Sequence, residues 1–170
     1  MPSTENIHVQ PSAPADEDRL AATRVLRQFR IVFNAVKTHF RQVEKSAGIG
    51  GAQLWALSVI QGAAGIGVND LARALDIHQS TASNLVKTLL ERGLITASRG
   101  DADSRVVSLQ VLPAGVAVLD RAPAPFAGLL PDALAELDPA ILARLELDLD
   151  QLIRAIKADA AAAKTPMADL

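Results

Sequence analysis

The apolar positions of this chain fall mostly into stripes of helical period, with one short stretch of alternation past the middle. Between 19 and 46, Ala22, Val25, Phe29, Val32, Val36, His39 and Val43 step by alternate threes and fours, the spacing of a helix seam, and Leu26, Phe33 and Phe40 widen it. Gly48, Gly50 and Gly51 end that helix, and a second is expected over 52–62 around Leu54, Trp55 and Leu57. Val68, Leu71, Ala72 and Leu75 predict a short third helix. Asp76, Ile77 and His78 form a tight connection to a fourth over 79–92, striped by Ala82, Leu85, Val86 and Leu89 and closed by Gly93. Two short helices joined so closely make a helix-turn-helix.

After Gly93 the period changes. Ile95–Arg99 and Arg105–Val111 read as strands, the second alternating Val107, Leu109 and Val111 with Ser108 and Gln110, around a GDADS turn. A hairpin directly after a helix-turn-helix is a wing. Pro113 opens the next helix, Pro123 and Pro125 interrupt it, and Asp138-Pro139 caps a last one whose Leu142, Leu145, Leu149, Leu152 and Ile156 again step as a seam. The fold expected is mainly α with a small β-wing: a winged helix-turn-helix flanked by long N- and C-terminal dimerisation helices. The corresponding segments are a disordered tail (1–18), an N-terminal dimerisation helix (19–50), the winged domain (51–115), C-terminal dimerisation helices (116–163) and a short tail (164–170). Two seams are more than one small domain can bury, so a C2 homodimer is expected.

The helix at 79–92 begins in an unusual way. Gln79, Ser80, Thr81, Ser83 and Asn84 are short polar residues that normally gather at caps and turns, because they compete with the backbone for hydrogen bonds. A face built of hydroxyls, amides and Lys87 is a poor choice for a core and a good one for a groove. Hydroxyls and helix N-terminal amides bind phosphate oxygens, and Asn or Gln can pair bidentately with adenine in the major groove. Gln79 and Asn84 are therefore the expected base readers, with Ser80, Thr81, Ser83 and Lys87 on phosphates. Arg105, at the start of the second strand, is placed to enter a minor groove, with Asp103 able to orient it; Arg99 is a further phosphate candidate.

Composition adds limits. The formal charge is −2 over 170 residues, so bulk electrostatics announce no polyanionic partner, although residues 19–45 hold seven bases against Glu44 alone. Residues 68–112 balance and the remainder is acidic. There are no cysteines, which excludes disulfides, zinc ribbons and thiol redox sensing and suits a cytoplasmic protein. No signal-peptide core or membrane-length apolar run is present.

DLARALDIHQSTASNLVKTLLERGLI, followed by RGDADSRVVSLQVLPAG, resembles the winged-helix core of the MarR family of bacterial transcription regulators. The motif match covers about 52–115, and the flanking helices agree in layout. The resemblance implies a dimer on pseudo-palindromic double-stranded DNA, with the recognition helix in the major groove and the wing arginine in the minor groove. Carried over by position, the matches are Gln79, Ser80, Thr81, Ser83, Lys87 and Arg105. The family often has serine at the position of His78 and arginine at that of Asn84, which implies a different N-cap and a different base preference. It also implies that a small aromatic carboxylate binds between the dimerising helices and the winged helix; Phe33, His39, Phe40, Arg41 and Trp55 are candidates to line that pocket, with arginine pairing the acid. His39 is otherwise a hydrogen-bonded seam residue or a pH-responsive group.

The expected function is a ligand-responsive repressor without catalysis, cofactor or metal. The alternative is a winged helix used as a protein-interaction module, kept open by the neutral 68–112 region. An enzyme is disfavoured: three histidines lie far apart in sequence, and there is no nucleophile elbow or phosphate loop.

Overall fold

The computed structural model describes residues 14–99 and 107–169, in two compact units, Met1–Ala35 and Val36–Leu170. Helix α1 (Pro14–Ala47) runs through both, and so starts ahead of position 19, inside the segment expected to be a disordered tail. In the first unit it is an exposed helix. Leu20, Val25, Leu26, Ile31, Val32 and Phe33 all stand in solvent, and the rings of Phe29 and Phe33 stack at 6.4 Å.

The second unit holds the core. After α1 come α2 (Gly51–Gly62), α3 (Val68–Ala74), α4 (Gln79–Glu91), β1 (Ile95–Arg99), β2 (Val107–Val111), α5 (Pro113–Arg121), α6 (Leu129–Ala135) and α7 (Pro139–Ala155). Two 3-10 turns, Ala160–Lys164 and Met167–Asp169, follow. Leu54, Leu57 and Ile60 of α2, Leu71 and Leu75 at α3, Leu89 of α4, and Ile95 and Leu109 of the hairpin are fully buried together. The α4 stripe Ala82, Leu85, Val86 and Leu89 is the face that enters this core.

The turns explain why the helices stop where they do. Gly93 takes φ +65 after α4, letting Leu94 N–H reach the Leu89 carbonyl (3.0 Å) and Gly93 N–H the Leu90 carbonyl (2.9 Å). This Schellman pairing satisfies the last carbonyls and turns Leu94 and Ile95 into the core. Helix α3 ends in the same way with Asp76 at φ +50: Ile77 N–H bonds the Ala72 carbonyl and Asp76 N–H that of Arg73. Asp tolerates this left-handed conformation better than most residues, and the result is the tight turn into α4.

The strands pair antiparallel from Ile95↔Val111 to Arg99↔Val107. The glycine-rich turn after α2 also docks on the hairpin, since Gly65 N–H bonds the Leu109 carbonyl (2.8 Å) and Leu109 N–H bonds that of Ile66 (3.1 Å). Pro113 sits in the first turn of α5. At Gly115 a Cβ would lie 2.8 Å from Val111 Cγ1 and press on the Leu94 carbonyl, so the restart needs glycine for close approach. Asp138 caps α7 by accepting from Ala140 N–H at 2.8 Å. Its Ile141, Leu142, Leu147, Leu149, Leu152 and Ile153, and Ile156 at its C-cap, remain exposed.

Candidate nucleic-acid interface

At about 100° per residue, Ser80, Asn84, Lys87 and Glu91 run along the centre of the α4 face opposite the buried stripe. Gln79 and Ser83 lie on one flank. Thr81 lies on the other, about 160° round the helix from Ser83, beside Thr88. Burial follows this geometry: Gln79, Ser80, Asn84 and Lys87 are exposed, while Thr81, Ser83 and Thr88 are half-buried. Thr81, expected from the sequence as a phosphate contact, is set apart from Gln79 and Ser83 by the helical phase. Sequence reasoning missed Thr88 and Glu91, both legible from the same 100° step.

Several of these groups already have partners. Gln79 Nε2 donates to Ser83 Oγ at 3.2 Å, and Thr88 Oγ1 donates to the Asn84 carbonyl at 3.0 Å. Lys87 Nζ stands 3.9 Å from Glu91 Oε1 on the surface. His78 holds the N-cap position with extended backbone and no side-chain capping bond, leaving the first amides of α4 without a side-chain acceptor. At the other end Arg92 Nη1 donates to the Gly48 carbonyl at 2.7 Å, fastening the end of the helix to the α1–α2 turn. Arg99 closes β1 opposite Val107. Arg105, with Asp101, Asp103 and Ser104, lies outside the described residues.

Beside this element is a cavity of about 210 Å³, walled by Val36 and Phe40 of α1, Trp55 of α2, Ile77 after α3, Phe126, and Met167 of the last turn. Phe40 is wedged between two glycines: its ring would meet a Cβ at Gly51, and its Cζ would lie 2.9 Å from one at Gly128. Of the five ligand candidates, Phe40 and Trp55 line this cavity. Arg41 is exposed and does not. Phe33 is exposed within the first unit. His39 is half-buried and packs edge-on to Phe40 at 5.5 Å, with Nε2 3.0 Å from the Pro125 carbonyl. Because a carbonyl only accepts, Nε2 carries the proton, which is the hydrogen-bonded seam arrangement. The charged side chain among the lining residues is Asp76. Among the described residues no group of three or more His, Asp or Glu is placed to hold a metal ion, and no helix is long and apolar enough to cross a membrane.

The MarR family model matches residues 47–105. A comparison with curated proteins finds no match. Among solved structures, the S. aureus MepR–DNA complex superposes with a TM-score of 0.54 at 20% identity, covering 76% of this chain and 96% of MepR. Streptococcus pneumoniae FabT, solved in complex with DNA, gives 0.51 at 17% identity, covering 80% and 97%. A mutant MarR from E. coli, complexed with operator DNA, gives 0.50 at 18% identity, covering 76% and 96%. Residues 47–105 thus match the MarR family model, and the chain shares the winged helix-turn-helix fold of these solved structures.

Proposed function

We propose that this chain is a ligand-responsive transcription regulator that represses by binding a pseudo-palindromic operator as a homodimer. The observation that carries the reading is the outward face of α4. It presents Ser80, Asn84 and Lys87 in line, with an open helix N-terminus beside them, on a helix whose other face is locked into the core. Open N-terminal amides and hydroxyls suit phosphate oxygens. Asn84 at the centre, with Gln79 on the flank, suits base edges in the major groove. Gln79 gives up its bond to Ser83 when it reads a base. Lys87 supplies charge to the backbone, and Arg105 is proposed for the adjacent minor groove. MepR, FabT and MarR, which share the fold, were each solved with DNA, and this supports the assignment.

The homodimer is supported by apolar surface left in solvent on both terminal helices. Fully burying one such side chain contributes about 1.5–3 kcal/mol, so several half-exposed ones along α7 are a substantial driving force. A symmetric pair of recognition helices then requires half-sites about one helical turn apart.

The cavity is the proposed effector site. An effector shifts DNA binding only if it binds the competent and incompetent arrangements unequally. No arginine faces the cavity to pair a carboxylate, since Arg41 lies outside it and Asp76 on its wall is already paired with Lys164. An uncharged apolar molecule suits the lining better. The test of the function is a fluorescence-anisotropy titration against the intergenic DNA upstream of the gene and a scrambled duplex, at several salt concentrations, with Arg105→Ala alongside. Tight, salt-steep, sequence-selective binding weakened in the variant supports the regulator. Indifference to both duplexes and to Arg105 favours the protein-interaction module instead.

A further inference from the structure

One wall of the cavity is not part of the winged helix. It is the stretch after α7, which turns back on the same unit. Helix α7 ends with Lys157 at φ +53, a left-handed conformation that a lysine rarely adopts, and Ala158 N–H pairs with the Ile153 carbonyl to close the turn. Asp159 then caps the next turn by accepting from Ala161 N–H at 2.9 Å. Pro166 is buried, and Ala168 packs on the hydrophobic core. A Cβ at Gly51 would lie 2.9 Å from that of Ala168, so the first turn of α2 and this segment are in close contact. Thr165, Pro166, Met167 and Ala168 all line the cavity. Lys164 pairs with Asp76, the left-handed residue of the turn that leads into α4.

We propose that residues 159–169 form a strap that occupies the mouth of the cavity from within the chain, so that an apolar guest and the closed strap compete for the same space. Three features support a strap rather than a fixed wall. The side chains it buries are small, a proline and an alanine. Its polar tether, Lys164–Asp76, is a surface pair with Asp76 mostly exposed, and such pairs hold weakly. The turn that brings it back is a non-glycine residue in a disfavoured conformation. A guest larger than the residual space must open the strap, and opening separates Lys164 from the turn before the recognition helix. The idea rests on the reading of the cavity as an effector site, but the competition itself can be measured without DNA.

Trp55 is the single tryptophan and lines the cavity, so its emission reports the strap directly. The full chain is compared with Ala168→Asp, which places a charge against the core; with a version lacking residues 160–170; and with Lys164→Ala, which alters only the surface tether. Circular dichroism melting confirms that each is folded. The probe is N-phenyl-1-naphthylamine, an uncharged apolar fluorophore that accepts energy from tryptophan. If the strap is closed in about nine molecules of ten, removing it tightens the apparent affinity for the probe about tenfold, by the fraction of competent molecules. Acrylamide quenching of Trp55 rises in parallel, and Lys164→Ala moves both readouts the same way by less. Unchanged quenching and unchanged affinity in all three variants overturn the strap. So does weaker probe binding in the shortened chain, which would make the segment part of the site rather than its competitor. Tighter probe binding that leaves DNA affinity untouched upholds the strap and removes the effector reading.

Discussion

Lys87→Ala separates the electrostatic role of α4 from its structural one. The ammonium lies on the centre line of the exposed face and its side chain is 75% exposed, with Glu91, itself 62% exposed, 3.9 Å away. A solvated i,i+4 pair of this length contributes at most about 0.5 kcal/mol to folding, so the variant keeps its fold. On DNA the accounting differs. Each phosphate neutralised contributes about 0.9 to the slope of log affinity against log salt. Two copies of Lys87 on one operator then account for about 1.8 units of slope. Between about 50 and 200 mM salt, that difference changes the ratio of wild-type to variant affinity about twelvefold. Anisotropy titrations across this range, on a preferred and a scrambled duplex, give both slopes. The variant should lose affinity on both duplexes alike, most at low salt, and its slope should be shallower. A slope equal to the wild type's, or a loss confined to the preferred sequence, would refute the assignment of Lys87 to the backbone.

Asn84→Ala should cost roughly 1–3 kcal/mol on preferred DNA and little on scrambled DNA; equal losses on the two duplexes mean Asn84 reads no base. Gly115→Ala forces a Cβ onto the Leu94 carbonyl and to 2.8 Å from Val111 Cγ1, and overpacking of this kind costs about 1–3 kcal/mol. Urea denaturation should show a lower midpoint with an unchanged m-value, and an unaltered midpoint would mean that α5 yields without cost. Replacing both Leu149 and Ile153 of α7 by Asp should leave the helical signal of the chain intact while moving sedimentation from dimer to monomer. A dimer that survives this double change does not use that face.

The winged helix was legible because its determinants are local. The stripe of Ala82, Leu85, Val86 and Leu89 fixes which side of α4 is buried, and hence which side is free, with no knowledge of the partners. Gly93 and Pro113 mark their turns by chemistry that a few residues decide. Asp76 was visible only as part of a connection, because its left-handed conformation depends on pairing within the turn. The seam of α1 shows the limit of such reading: its period is uniform, yet Val36 and Val43 are buried while Val25 and Val32 are exposed. Periodicity reports that a face is apolar and not what covers it. The cavity was harder still. The resemblance offered five lining residues together; Phe40 and Trp55 do line the cavity, whereas Phe33, His39 and Arg41 do not. The strap was invisible. AAAAKTPMAD has no stripe, and Pro166 and Ala168 are covered only because residues far away in the chain meet them.

A selection from a pool of randomised duplexes tests the reading face on α4 and the two-fold dimer at once. Sequencing of the duplexes retained by the full-length protein should reveal an enriched inverted repeat. Its half-sites should lie about 10 base pairs, one helical turn, apart, and Asn84→Ala should lose preference at one position in each half. A retained pool with no common sequence, or a single unrepeated half-site, would contradict the account.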